Sequence, residues 1–136
     1  MSDIEGDRIT GLVPIKAPFD FLVPVHETIV TEKGERVELF RLGTCQDGVH
    51  EALGFYPGKY EQHVHHRANS VFRISYGIGM IVLDGVVESY KVGDVFEVPA
   101  GMWHGFEVQT PTMLLATLDR PIKDPKTGEF DFHYRK

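Results

Sequence analysis

Three histidines, His63, His65 and His104, are the residues whose type and spacing best suit chemistry. The first two are separated by one residue, and residues i and i+2 of a β-strand point to the same face of a sheet. Their imidazoles can therefore share one ion if this segment is a strand. Pairs of histidines also occur on protein surfaces without a metal, so the pair alone leaves both interpretations open.

The third histidine follows the signal for a tight turn. Pro99 and Gly101 come just before His104; proline has a fixed φ, and glycine tolerates a positive one. If His104 opens the next strand with its side chain inward, Phe106 lies on the same face. Three imidazoles leave open positions on a first-row transition metal, which is typical of a catalytic site rather than a closed structural site. The neighbouring His66 is expected to point to the other face.

The elements that must position these histidines are predicted to be short β-strands. Gly and Pro recur roughly every 8–12 residues and separate short apolar or alternating segments, a pattern typical of a β-sandwich or barrel. Lys33-Gly34 and Asp84-Gly85 predict two of the hairpin turns. No repeat or interdomain linker is present. We therefore expect one domain over residues 11–136, preceded by a poorly ordered polar segment at residues 1–10.

Composition excludes several classes of partner. The chain of 136 residues is 42% hydrophobic and 25% charged, as in an ordinary soluble globular domain. Its net charge of −6 argues against binding to nucleic acid and to anionic membranes. No segment approaches the roughly 20 apolar residues of a membrane span. The single cysteine, Cys45, cannot form an internal disulfide, which favours a reducing, cytoplasmic location.

The segment ending at His104 resembles one of the two motifs of the cupins, which are small jelly-roll barrels. That motif has the form G-x5-P-x-G-x2-H-x3-N. It matches this sequence at Gly93, Pro99, Gly101 and His104, with Val108 in place of the final Asn. The resemblance implies an all-β fold, a single-domain jelly-roll β-barrel.

The other cupin motif, G-x5-H-x-H-x3,4-E-x6-G, is recognisable in Gly58, His63, His65 and the Gly77-x-Gly79 turn. One residue fewer separates Gly58 from His63 than in the motif. Together the motifs span residues 55–108, and the resemblance implies a divalent transition metal (Fe, Zn, Ni or Mn) on His63, His65 and His104.

The glutamate that usually completes this metal site in cupins is missing, and Ser70 takes its place. Two other carboxylates could compensate. Glu61 lies on the face of His63 and His65 by strand parity, and we predict that it acts as a ligand or as a catalytic base. Glu51 could also point inward from the preceding strand. A surface position for both glutamates, and a cupin that has lost its metal, are the alternatives.

The resemblance implies a metal-dependent enzyme with a small-molecule substrate, and we predict a compact, partly apolar pocket that includes Ser70, Phe72, Trp103 and Phe106. Cupins with three histidines and no glutamate include Fe(II) dioxygenases of diketones and thiols. An Fe(II) dioxygenase of a small carbonyl or thiol compound is therefore favoured. One alternative is a metal-assisted isomerase, epimerase, lyase or cyclase with Glu61 as its base. Another is a non-catalytic ligand-binding or sensor barrel.

Near the C-terminus, Phe130, Phe132 and Tyr134 alternate with polar residues and predict a last strand with an aromatic face. An exposed stripe of three aromatic side chains is unusual on a monomer. We therefore predict a homodimer in which this tail, or the N-terminal segment 19–25, crosses to the partner. The alternative is a tail that folds back over its own barrel.

Overall fold

The computed structural model describes residues 25–135, which form eleven strands. They are β1 (Val25–Val30), β2 (Arg36–Cys45), β3 (Gly48–Phe55), β4 (Gly58–Val64), β5 (Ser70–Tyr76), β6 (Gly79–Leu83), β7 (Val86–Tyr90), β8 (Val95–Val98), β9 (His104–Val108), β10 (Thr112–Leu118) and β11 (His133–Tyr134). Within this range no helix is long and apolar enough to cross a membrane. The predicted disorder of residues 1–10 and most of the segment 19–25 lie outside the described residues.

Two antiparallel sheets face each other. The six-stranded sheet has the order β1-β2-β3-β10-β5-β8, and the five-stranded sheet has the order β11-β4-β9-β6-β7. Alternate residues of β5 and β10 are buried, as expected for strands with one face toward a core. The core between the sheets includes Ile74, Ile81 and Leu114, all at most 1% exposed. The predicted all-β jelly-roll barrel is confirmed.

Both predicted hairpin turns are present. Asp84 and Gly85 have φ values of 50° and 84°, and this pair of positive angles suits the two-residue turn between β6 and β7. Gly34 has a φ of 80°, and its N–H donates to the Thr31 carbonyl oxygen at 2.8 Å in the turn between β1 and β2. These turns fix the register of strands that frame the barrel.

A bulge interrupts β4 just before the histidine pair. The register between β4 and β9 shifts between Tyr60 and His63, and both residues are buried although they are three positions apart. A Cβ atom at Gly105 would lie 2.8 Å from the Tyr60 carbonyl oxygen, so glycine permits the close approach of β9 to the bulge. The regular alternation of inward-facing and outward-facing side chains therefore does not continue from His63 back to Glu61.

The C-terminal segment 122–135 folds back over its own barrel. Its last strand, β11, pairs with β4 at Val64 and His63. The Phe132 ring stacks on the His63 ring with centroids 4.2 Å apart, and Tyr134 donates a hydrogen bond to a Glu35 carboxylate oxygen at 2.8 Å. The aromatic stripe thus packs within the chain, and the argument for a dimer from its exposure does not hold. The homodimer itself stays a prediction.

Candidate metal centre

The fold brings the three predicted ligands together. His63 on β4 lies directly opposite His104 on β9, and His65 comes one residue after the end of β4. One ring nitrogen from each histidine lies within 4.8 Å of the others. The three residues are 8%, 6% and 1% exposed for His63, His65 and His104. They form a buried cluster in the barrel interior.

Backbone carbonyl groups orient all three rings. The Nδ1–H of His63 donates to the Glu61 carbonyl oxygen (3.2 Å), and that of His104 donates to the Met102 carbonyl oxygen (3.0 Å). His65 donates in the same way to the Asp131 carbonyl oxygen at 2.6 Å. We assign the tautomers from these contacts: with Nδ1 protonated, each Nε2 keeps a free lone pair. The Nε2 of His104 is buried and has no hydrogen-bond partner.

The environment keeps these rings neutral. Burial lowers the pKa of His104 to about 3, and it lowers the pKa of His63 well below the usual value. The pKa of His65 is also lowered, again mainly by burial. Neutral imidazole is the form that binds a metal, so the site is prepared for ligation at neutral pH without prior loss of a proton.

A divalent transition metal fits this donor set. Metal–nitrogen bonds of 2.0–2.1 Å place neighbouring ligand atoms about 3 Å apart. The three ring nitrogens lie within 4.8 Å of one another, and each belongs to an imidazole. Imidazole suits Zn, Cu, Fe and Ni, while Mg and Ca prefer oxygen ligands. An ion here would also give the orphaned Nε2 of His104 a partner.

The histidines open into a cavity of about 70 Å³, which is room for a few waters or one compact molecule. Its walls are mainly apolar and include Val37, Leu39, Leu53, Phe55, Leu118, Ile122, Phe130 and Phe132. Phe72 and Phe106 line it, as predicted from the sequence. Ser70 and Trp103 are not among the lining residues: Ser70 is buried nearby at 4% exposure, and Trp103 packs under the Arg135 guanidinium group.

Glu61 does not point toward the histidines, contrary to the prediction from parity. Its side chain is 43% exposed, lies 3.9 Å from the Lys59 ammonium group and does not line the cavity. The bulge in β4 is the physical reason, because the extra residue moves Glu61 off the inner face. Its backbone N–H donates to a Glu35 carboxylate oxygen at 2.6 Å, so the bulge is itself held in place.

Glu51 occupies the inward position that Glu61 lacks. It is 2% exposed, lines the cavity, and its Oε2 has no hydrogen-bond partner. Burial raises the pKa of this carboxyl to about 7. Alternation with Leu53 and Phe55, which also line the cavity, is the sequence signal that favours this orientation.

Asp131 is a further site residue, and sequence reasoning missed it. Its carboxylate accepts hydrogen bonds from the backbone N–H groups of His66, Arg67 and Ala68 at 2.8–3.2 Å, while its carbonyl oxygen orients His65. Burial alone would raise the pKa of Asp131, but these donors lower it. One residue of the C-terminal segment thus holds both the loop after β4 and a metal ligand.

Residues 54–118 match the family model described as a cupin domain. This part of the chain therefore corresponds to a cupin domain, and the barrel that contains it has the cupin fold. No curated protein matches the sequence at a significant level.

Several solved structures share the barrel. One is a predicted oxalate decarboxylase from Thermotoga maritima, 23% identical over 70% of this chain and 91% of that chain, with a TM-score of 0.59. An RmlC-like cupin from Shewanella frigidimarina is 26% identical over 68% of this chain and 83% of that chain, with a TM-score of 0.56. The DMSP lyase DddQ from Ruegeria pomeroyi is 19% identical over 68% of this chain and 55% of that chain, with a TM-score of 0.58. These similarities concern the fold, which hosts many chemistries.

Proposed function

We propose that the protein is a metal-dependent enzyme that acts on a small carbonyl compound. One observation carries this proposal: three neutral imidazoles, each fixed by a backbone carbonyl, turn their free nitrogens into one enclosed apolar cavity. A purely structural metal site would have a fourth protein ligand close by, and no carboxylate or thiolate of the described residues joins this cluster.

The chain's own residues supply binding and exclusion of water. His63, His65 and His104 would hold a divalent ion, which polarises a carbonyl oxygen and stabilises negative charge that develops on it. Phe72 and Phe106 line the cavity beside the histidines and restrict it to a compact substrate. The apolar wall keeps water from competing for the site and strengthens electrostatic interactions within it.

An Fe(II) dioxygenase is the first candidate for the reaction. Three protein donors leave about three positions on a six-coordinate ion, enough for a substrate and O₂ together. The buried Ser70 at the position of the usual glutamate supports this candidate, because a carboxylate ligand there would fill one of those positions.

A metal-assisted isomerase or lyase is the second candidate, and Glu51 is the observation that favours it. Such reactions move a proton on the substrate, and a group that titrates near neutral pH suits this task. Glu51 lines the same cavity as the histidines.

Substrate turnover with and without O₂ separates the candidates. Protein purified without a His tag is loaded with Fe(II) and screened against small carbonyl compounds and thiols, with O₂ uptake and product NMR as readouts. Oxygen uptake in step with substrate loss, absent in His104→Ala, supports the dioxygenase. Turnover without O₂ supports the second candidate. Ligand binding with no turnover would contradict both and favour a non-catalytic barrel.

We also propose a homodimer in a reducing, cytoplasmic compartment. Val71, Val95 and Leu115 are 40%, 47% and 40% exposed on three neighbouring strands of the six-stranded sheet, which gives this sheet an apolar outer face. Cys45 is free and exposed, which suits a reducing compartment. Light scattering of wild type and Leu115→Arg tests the dimer: the wild type should have twice the chain mass and the variant should not. A monomeric wild type would contradict it.

A further inference from the structure

Glu51 lies across the cavity from the histidine cluster. On the inner face of the six-stranded sheet, Arg41, Glu51, Ala116 and Phe72 form one cross-strand row. Two strand spacings therefore separate Glu51 from Phe72, about 10 Å. The Phe72 ring lies 6.0 Å from the His104 ring, centroid to centroid. The small side chain of Ala116 stands between Glu51 and Phe72, which leaves room for a compact molecule between the carboxyl and the histidines.

The cationic groups near Glu51 form their ion pairs with another residue, although the charge of Arg41 lowers the pKa of Glu51 against the larger effect of burial. Arg41, its neighbour on β2, forms an ion pair with Glu27 at 3.0 Å and donates to the Lys123 carbonyl oxygen at 3.4 Å. The Lys123 ammonium group, from the C-terminal segment, also pairs with Glu27. On the facing sheet, the titratable groups that line the cavity are the three neutral histidines and Tyr60. The Glu51 carboxyl therefore faces the cavity without an ion-pair partner.

Glu35 and Tyr60 also line the cavity, and their side chains already form hydrogen bonds. Glu35 accepts hydrogen bonds from Tyr134 and from the Glu61 backbone N–H. The Tyr60 hydroxyl donates to the Arg36 carbonyl oxygen at 2.6 Å. Glu51 Oε2 and His104 Nε2 are the cavity-lining polar atoms that are fully buried without a partner among the described residues. A metal ion on His104 and a bound molecule that reaches from this ion to Glu51 would together give both atoms a partner.

We propose that Glu51 exchanges a proton with the carbon atom next to the substrate's carbonyl group, which makes the substrate an enolisable carbonyl compound. This inference rests on the proposed function. The Glu51 carboxylate takes the proton; the C–H electron pair forms a C=C bond, and the carbonyl π pair moves to oxygen to give an enolate. Return of the proton to the same or a neighbouring carbon balances the step without an oxidant. A pKa of about 7 supplies both protonation states at neutral pH.

The protonation state of Glu51 can be measured without any reaction. Infrared difference spectra of metal-free protein, recorded as pH rises, are compared between wild type, Glu51→Gln and the matched surface control Glu97→Gln. We expect a protonated carboxyl band in wild type and Glu97→Gln that disappears near pH 7, and no such band in Glu51→Gln. A wild type whose carboxyl bands all titrate near their ordinary pH would overturn the inference.

Proton exchange tests the chemical role. Zinc-loaded protein is mixed with butane-2,3-dione in D₂O, and loss of the methyl proton signal is followed by NMR. Wild type should accelerate the exchange, and Glu51→Gln should lower this acceleration at least tenfold with its zinc content unchanged. Glu97→Gln should match wild type.

The possible negative results of the proton-exchange experiment lead to different conclusions. Wild-type acceleration that persists in Glu51→Gln would overturn the role of Glu51 and leave the proposed function standing. Loss of zinc in Glu51→Gln would make this residue a metal ligand instead of a base. No acceleration by fully zinc-loaded wild type would contradict the proposed carbonyl chemistry itself.

Discussion

The two walls of the cavity satisfy their polar groups in different ways. On the five-stranded sheet, each histidine has its Nδ1–H bound to a backbone carbonyl, and two of those carbonyls lie only two residues away in the chain. On the six-stranded sheet, Glu51 keeps a buried oxygen without a partner. The first wall fixes orientation through local backbone geometry, and the second leaves a titratable group poised in an apolar setting. One wall is therefore suited to holding an ion and the other to moving a proton.

The largest expected effect comes from removal of a histidine. His63→Ala, His65→Ala and His104→Ala should each weaken metal binding on the order of 10³-fold, beyond the 10–100-fold typical of residues that only support a ligand. Elemental analysis and competition with a chelating dye measure the change.

Two controls accompany this test. His66 is exposed and stacks on His133, so His66→Ala should keep full metal content. Cys45→Ser removes a donor from a second group of possible ligands, Cys45, Asp47 and the half-buried His50, and accounts for metal bound there. Full metal content in His63→Ala, His65→Ala and His104→Ala would refute the assignment of these histidines as metal ligands.

Ionisation of Glu51 on the six-stranded wall should lower the free energy of unfolding as pH rises. The folded-state pKa of Glu51 is about 7, against an ordinary value of 4.5. The stability that its protonated form contributes is fully present below pH 4.5 and is lost as pH rises through 7. Relative to wild type, Glu51→Gln should gain about 3 kcal/mol of unfolding free energy over this range.

Urea unfolding of metal-free protein at pH 5 and pH 8.5 measures that gain, with Glu97→Gln as the control on an exposed carboxylate. A difference between Glu51→Gln and wild type that stays constant with pH would mean that Glu51 is already ionised at pH 5. The contrast between the two walls would then disappear.

The link between the C-terminal segment and the histidines should give a smaller effect. Asp131→Asn removes the negative charge of a carboxylate that accepts hydrogen bonds from three backbone N–H groups. The free energy of unfolding should fall by about 2 kcal/mol. Because the Asp131 carbonyl oxygen orients His65, metal affinity should also fall about tenfold. Calorimetry and metal titration measure the two changes. A stability loss with unchanged affinity would separate the segment from the metal site.

Much of the fold and part of the site could be predicted from the sequence because these features depend on local rules. Asp84-Gly85 specifies its turn through two positive φ angles. His63, His65 and His104 are brought together by strand pairing that the two motifs already imply. Asp131 is different: it binds backbone groups about 65 residues away, and no local pattern encodes such a contact. Glu61 was misplaced because a bulge breaks the two-residue period.

The smallest effect is expected for Glu61, and it isolates the consequence of the bulge. Glu61→Gln makes the same chemical change as Glu51→Gln, but at a side chain that is 43% exposed and paired only at 3.9 Å with Lys59. Exposed ion pairs of this kind contribute little, so stability should change by less than about 0.5 kcal/mol. Metal content and proton exchange should equal those of wild type. If Glu61→Gln lost proton exchange while Glu51→Gln kept it, the strand would carry Glu61 inward after all, and the base would belong to the same wall as the histidines.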